Sequence, residues 1–265
     1  MGVMTHLKDA CAPEQHQPQT LSFLSRASQK KMSTVTLFSR FDPSAVVFSN
    51  VEKTRKGSKI VYLGTGATGK DRIVLQTPAM AMPFGVTPYA ETTGGEIQSY
   101  SLDVSFRTAD TDPQVAEFLT MIKKLDDVLI DTATARSAEW FGKPMSRDLV
   151  VEFYRKLLKE NPQYPAILKI KVGLDATGQP NAQFFDENRA PVPIDYLIKG
   201  STVKMICEVS SVWFVNKTFG ATFRLVQAAV TAKPRRLQGY SFVEGAEEGD
   251  EAAACKENMP PPEEL

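Results

Sequence analysis

Histidine is missing from nearly the whole chain: among 265 residues only His6 and His16 carry an imidazole. The remainder can build neither a Ser-His nor a Cys-His nucleophile pair, and a zinc site there lacks its usual nitrogen ligand. Cysteine is scarce as well. Cys11, Cys207 and Cys255 are odd in number and show no C-x-x-C spacing, which argues against a disulfide framework and predicts a reducing compartment. No apolar run approaches the ~18 residues of a membrane span, and the first residues carry no signal-peptide h-region. The expectation is an intracellular, non-secreted protein with no membrane partner, no metal and no cofactor. Gly2 does not complete a myristoylation pattern, because His6 stands where Ser or Thr is required.

Net charge is also absent, but only on average. From Glu244 to Leu265 there are eight acids against one base, a net −7, so the other 243 residues carry 30 bases against 23 acids, a net +7. A basic body joined to an acidic tail is a different molecule from a neutral one. Aliphatic and aromatic residues make up 42% of the chain, enough for one sizeable core. Three regions are expected: a disordered extension over 1–33, a folded domain over 34–243 and an acidic tail over 244–265. The extension is polar, rich in Pro, Gln and Ser, and without period. Its end, Lys30-Lys31-Met32-Ser33, leaves Met32 as a candidate natural start.

Within the folded region, Lys59 to Leu63 reads as a strand. It is followed by Gly64-Thr65-Gly66-Ala67-Thr68-Gly69-Lys70-Asp71, which matches G-x-G-x-x-G and nearly matches a Walker A loop. Asp71 stands where Walker A needs Ser or Thr, and the residues after it continue as a strand rather than opening a helix. A hairpin loop is the better reading. Tyr100, Leu102, Val104 and Phe106 alternate with Ser101, Asp103, Ser105 and Arg107, the pattern of a half-buried strand. Asp112 and Pro113 then predict a helix start, with Val115, Phe118, Leu119, Ile122, Leu125 and Leu129 as its apolar stripe. Ser146 predicts a second helix running to about Lys159 and ended by Asn161-Pro162. Ile167 to Val172 is a strand with Lys169 and Lys171 on its polar face.

The most informative stretch is Gly200 to Val230. Val203, Met205, Cys207 and Val209 alternate with Lys204, Glu208 and Ser210, Ala221 to Val230 is again β-forming, and Trp213 to Gly220 between them reads as a turn with three aromatics and Lys217. Gly220 suits a positive φ or a close approach. Aromatics beside lysines at a strand end suggest a surface on which bases stack, here Trp213, Phe214 and Phe219. Lys169, Lys171, Lys204 and Lys217, with Arg107 and Arg224, are the candidate phosphate contacts. The overall order is mainly β with one or two helices. It describes an OB-type antiparallel barrel, and on pattern alone an SH3-like barrel or a small sandwich fits almost as well.

Three features carry a family resemblance: the block Ser99 to Val104 leading through Asp112-Pro113 into a long helix, the Gly200-Ser201 hairpin with its aromatic before Asn216 and Gly220-Ala221 after it, and the acidic tail. In these the chain resembles the single-stranded DNA-binding replication proteins of short-tailed coliphages and their relatives in large DNA viruses of eukaryotes. The resemblance covers roughly 95–265. It implies an OB-fold, a homodimer, binding to single-stranded DNA without sequence preference, and roles in viral DNA replication, recombination and repair. It further implies a tail that contacts the viral DNA polymerase and helicase/primase, at a nuclear or cytoplasmic replication site. Trp213 is the nearest match to the family's stacking aromatic and Lys204 to one of its lysines, while the family's second lysine has no counterpart. The tail ends in Leu265 where the phage tails end in an aromatic residue. The competing reading is a virion structural or scaffold protein that uses the same β-body for protein contacts; an enzyme ranks third.

Overall fold

The computed structural model describes residues 35–55 and 57–234. The expectations for 1–33, for the acidic tail and for the two boundaries of the folded region lie outside them. Eight strands precede the helices: β1 (Thr36–Leu37), β2 (Val47–Phe48), β3 (Glu52–Lys53), β4 (Lys59–Gly64), β5 (Ile73–Gln76), β6 (Met80–Ala81), β7 (Val86–Tyr89) and β8 (Ser99–Ser105). The helices are α1 (Pro113–Ala135), α2 (Ser137–Phe141) and α3 (Arg147–Phe153). The strands β9 (Tyr154–Arg155), β10 (Leu158–Asn161), β11 (Tyr164–Gly173), β12 (Gln183–Phe185), β13 (Thr202–Val215) and β14 (Thr218–Ala232) follow.

Alternation builds the barrel wall. Leu102 and Val104 on β8 and Leu168, Ile170 and Val172 on β11 are buried, while Lys169 and Lys171 are exposed. Directly opposed residues of paired strands share a face, so Leu102 opposite Ile170 and Val104 opposite Leu168 form one inward layer. Five strands close a ring: β6 pairs with β8, β8 with β11, β11 with β14, β14 with β13, and β13 with β6. Numbered along the chain, the ring runs first, second, third, fifth, fourth and back to first. That is the Greek-key order of an OB-type barrel. The wall is antiparallel except where β11 and β14, the third and fifth strands, run parallel.

The helix start at Asp112 is as the sequence predicts: its carboxylate accepts from the Gln114 backbone N–H at 2.9 Å, with Pro113 following. Of the predicted stripe, all but the half-buried Leu119 are buried. Phe118 stacks on Phe106 at 5.8 Å and meets the edge of Phe38 at 5.3 Å, which fastens α1 to the barrel.

Three expectations need correction. The second helix does not reach Lys159. It ends at Phe153, where Tyr154 turns to extended backbone (φ −76°, ψ 134°) and pairs with β14. Ser146 makes no side-chain cap bond, and Asn161-Pro162 lies in the β10–β11 turn, where the Asn161 carbonyl oxygen of the side chain accepts from Gln163 N at 2.9 Å. The reason is a buried carboxylate on α1. Asp126 accepts the Tyr154 hydroxyl at 2.5 Å and the Leu157 backbone N–H at 3.2 Å, so both residues are fixed by tertiary bonds rather than by a helical turn.

The Gly64–Asp71 segment is not a hairpin reversal either. β4 pairs with Ser211–Trp213 and β5 with Ile206–Val209, in the same direction along the same edge of β13. The loop is an excursion from one interrupted strand, pinched shut by a bridge between Thr65 and Asp71. Finally, the turn after Trp213 is only two residues, Asn216 and Lys217, because Val215 already pairs with Thr218. Asn216 takes the left-handed conformation (φ 53°) that such a turn needs and that asparagine tolerates.

Burial holds the Asp126 carboxyl above the ordinary carboxylate range, against the opposing pull of the Tyr154 hydroxyl. A raised acid contributes stability that is full below its unfolded value of about 3.9 and is lost as pH rises through the folded value. Asp126→Asn keeps an acceptor oxygen and removes that loss. In urea denaturation, the stability of the variant relative to the native chain should therefore grow as pH rises from about 4 to 7.

Candidate nucleic-acid interface

Consecutive residues on a strand point to opposite faces, and this separates the aromatics that the sequence groups together. Trp213 opposes Gly220 on one face of the β13–β14 ribbon, and Phe214 opposes Phe219 on the other. On the first face the half-buried Trp213 donates its indole N–H to Thr222 Oγ1 at 3.1 Å. Its ring lies so close over Gly220 that a Cβ there would sit 2.9 Å from Trp213 Cζ2 and 3.0 Å from the Arg155 carbonyl oxygen. Close approach, not positive φ, is why position 220 is glycine.

On the second face Phe219 is 0% exposed. Its ring centroid stands 5.2 Å from Tyr154, 5.3 Å from Phe141, 6.1 Å from Phe214 and 6.2 Å from Trp140. Phe219 therefore cannot stack on a base; it is a core residue. Phe214 stays partly accessible at the edge of the same cluster.

The four predicted lysines divide among three grooves, and Arg224 lines none of them. The first, of about 450 Å³, lies over β8, β11 and β14 and is lined by Lys169, Lys171, Ser101, Thr222, Tyr89 and Lys156 among others. Lys171 sits in register between Ser101 on one side and Arg224 on the other, and Lys169 opposes Asp103. Lys169, Lys171 and Arg224 form no ion pair among the described residues. Arg224 opposes Glu208 across the ribbon, but that carboxylate is held by Arg72, whose Nε donates to Oε1 at 2.6 Å and whose Nη2 donates to Oε2. The hydrogen bonds to Glu208 push the Arg72 guanidinium further up from its ordinary value. Lys156 is paired with Glu160 at 3.0 Å.

Lys217 belongs to a second groove, of about 630 Å³, on the opposite side of the hairpin tip, with Phe214, Trp140, Phe153, Lys59 and Lys143 in its lining. Lys204 lines a third, of about 370 Å³, with Arg189 and Gln227. It stands nine positions before Trp213, roughly 30 Å along an extended strand, so it lies far from the hairpin tip, and it is not among the residues lining the first groove. Arg107 is exposed two residues beyond the end of β8 and lines none of these grooves.

Sequence reasoning missed Tyr89, which is 55% exposed at the end of β7 beside Lys171, because Pro88 disguises that edge strand. It also missed Lys59, Lys143 and Trp140, which no local pattern ties to the hairpin. The buried Cys207 thiol is pushed up by burial and is not a nucleophile. Among the described residues no three His, Cys, Asp or Glu side chains cluster as a metal site, and no helix is long and apolar enough to cross a membrane.

A closed five-strand barrel with basic, aromatic-edged grooves defines the class of fold and surface. The chain belongs to the family of unknown function DUF5871, whose profile matches residues 102–244. It is 24% identical over 178 residues to the uncharacterized protein L291 of Acanthamoeba polyphaga mimivirus, a match that takes in 66% of this chain and 28% of that protein. The chain thus spans well under half the length of that relative. Among solved structures it is similar to the single-stranded DNA-binding protein of bacteriophage Enc34, at 10% identity and a TM-score of 0.40, covering 78% of this chain and 98% of that one. It is also similar to gp2.5, a single-stranded DNA-binding protein encoded by bacteriophage T7, at 16% identity and a TM-score of 0.39, covering 72% and 100%. The barrel assignment above stands on the chain's own strand order.

Gly220→Ala is expected to lose about 1–3 kcal/mol in chemical denaturation, the usual range for overpacking. The added methyl group must displace the Trp213 ring and push against a backbone carbonyl. A shift in the near-UV circular dichroism of the tryptophans checks that the ring has moved.

Proposed function

We propose that this protein binds single-stranded DNA without sequence preference and without catalysis, in the service of viral DNA replication, recombination and repair. One observation carries the reading: Lys171 and Arg224 oppose each other in register, with Lys169 two positions along on the same exposed face of the barrel, and none of the three is in an ion pair among the described residues. That face, with the loops joining strands one to two and four to five, is where OB-folds take oligonucleotides. Here the first loop supplies Tyr89 and the second is the hairpin next to Trp213. Cations at strand spacing follow phosphates whatever the bases are, and exposed rings stack on any base.

The acidic tail, at −7 against a +7 body, is a tethered competitor for the same cations, at an effective concentration on the order of millimolar. DNA would displace it and free it to contact a viral polymerase or helicase/primase. Homodimerisation and an intracellular replication site complete the reading.

Titration with oligo-dT tests it. Trp213→Ala should weaken binding by ~1–3 kcal/mol. Lys169→Gln with Lys171→Gln should flatten the plot of log K against log salt by about 1.4, at ~0.7 per phosphate contact on a single strand. No binding at low salt would favour the scaffold alternative. Truncation after Val243 should tighten oligo-dT binding, most at low salt where screening is weak, and abolish capture of the viral polymerase. Unchanged affinity together with retained capture would remove the tail from the mechanism.

A further inference from the structure

The hairpin tip has a basic groove on each side, and the proposed DNA face accounts for only one of them. The other is the groove lined by Lys59, Lys143 and Lys217 together with Phe214, Phe153 and Trp140. No acidic residue lines it. Lys143 and Lys217 are exposed and form no ion pair among the described residues. Lys59 donates to the Trp140 backbone carbonyl at 3.0 Å, which fixes the ammonium in place without neutralising it. Three cations without a counter-charge attract an anion, and partly exposed phenylalanines beside them offer ring faces.

The floor is rigid. Phe214 meets Trp140 edge-on at 5.6 Å and Phe141 at 6.0 Å, and the fully buried Phe219 backs it at 6.1 Å. The first groove is lined by Thr222 on the Trp213 face of the ribbon and the second by Phe214 on the other, and the ribbon ends in the two-residue turn Asn216–Lys217, both residues exposed. Lys217 stands in that turn and lines the second groove.

We infer that single-stranded nucleic acid lying on the Lys169 and Lys171 face continues over the turn at Asn216–Lys217 into this second groove, where Lys59, Lys143 and Lys217 hold its phosphates and Phe214 and Phe153 receive its bases. This rests on the reading of the first face as a DNA site and extends it. Trp213 and Phe214, adjacent in sequence and opposite in direction, then serve successive segments of one strand, one on each side of the ribbon. The bound strand is longer than the first face alone can cover.

Length dependence tests this, using oligo-dT of about 4 and about 16 nucleotides, the limits of the site size per OB-fold. Two double variants are compared, Lys143→Gln with Lys217→Gln, and Lys169→Gln with Lys171→Gln. All four positions are exposed, so melting temperatures should match the native chain. The Lys143/Lys217 variant should flatten the salt plot of the long oligomer by about 1.4, two contacts at ~0.7 each, and leave the short oligomer unchanged. The Lys169/Lys171 variant should weaken both. If the Lys143/Lys217 variant binds the long oligomer as the native chain does while the Lys169/Lys171 variant is impaired, the continuation is wrong and the first face stands. If neither variant differs from native, the DNA reading of the first face falls as well. If the Lys143/Lys217 variant keeps full DNA binding but loses affinity for a synthetic peptide of residues 244–265, the groove receives an acidic peptide and the inference is overturned.

Discussion

The barrel depends on one strand pairing. β13 and β14 are matched from Thr202 with Ala232 to Val215 with Thr218, and no other pair among the described residues is nearly as long. Each strand of this ribbon has a second edge, and an unpaired edge of that length would be a template for aggregation. The far edge of β13 is covered in turn by β4, β5 and β6, and that of β14 by β9, β11 and β12. Three register shifts along the ribbon, near Thr202, between Ile206 and Cys207, and between Val209 and Val212, give it the coiling that lets the two far edges meet through β6, β8 and β11.

The same ribbon sets the chemistry. Because it projects its last residues over the helices, its inner face must bury Phe219 against Trp140, Phe141 and Tyr154, while its outer face carries Trp213 over Gly220. The pairing that closes the wall also divides the exposed cations into separate grooves. Under the proposed function, charge spread over so wide a path suits a long flexible polyanion better than a compact ligand. The lysines are spaced by the strands, and nothing in their arrangement selects a base.

Much of the wall was legible in the sequence. Leu168, Ile170 and Val172 alternate with Lys169 and Lys171 without interruption, and Asp112-Pro113 announces α1 by local chemistry alone. The errors share a physical origin in contacts between distant residues. Leu149, Val150, Phe153 and Leu157 keep helical spacing past the true end of α3, and only Asp126, some thirty residues earlier, stops the helix by binding Tyr154 and Leu157. The bulge between Val209 and Val212 breaks the count of alternate faces, so Trp213 and Phe214 could not be assigned to sides. The burial of Phe219 depends on rings roughly sixty to eighty positions away, and the distance of Lys204 from the hairpin tip follows from strand length that a pattern of alternation does not convey.

The glycine-rich excursion between β4 and β5 leaves and rejoins a single strand, with Tyr62 held to Ser211 before it and Ile73 to Val209 after it. Its neck is tight, since a Cβ on Gly64 would lie 1.9 Å from the Gly69 carbonyl oxygen, but the ends stay together however many residues lie between them. Lengthening its apex at Ala67 and Thr68 costs only the slow logarithmic growth of loop entropy and cannot slip the barrel's register. Evolution or an engineer could therefore graft a new peptide at this one point and leave every wall strand where it is.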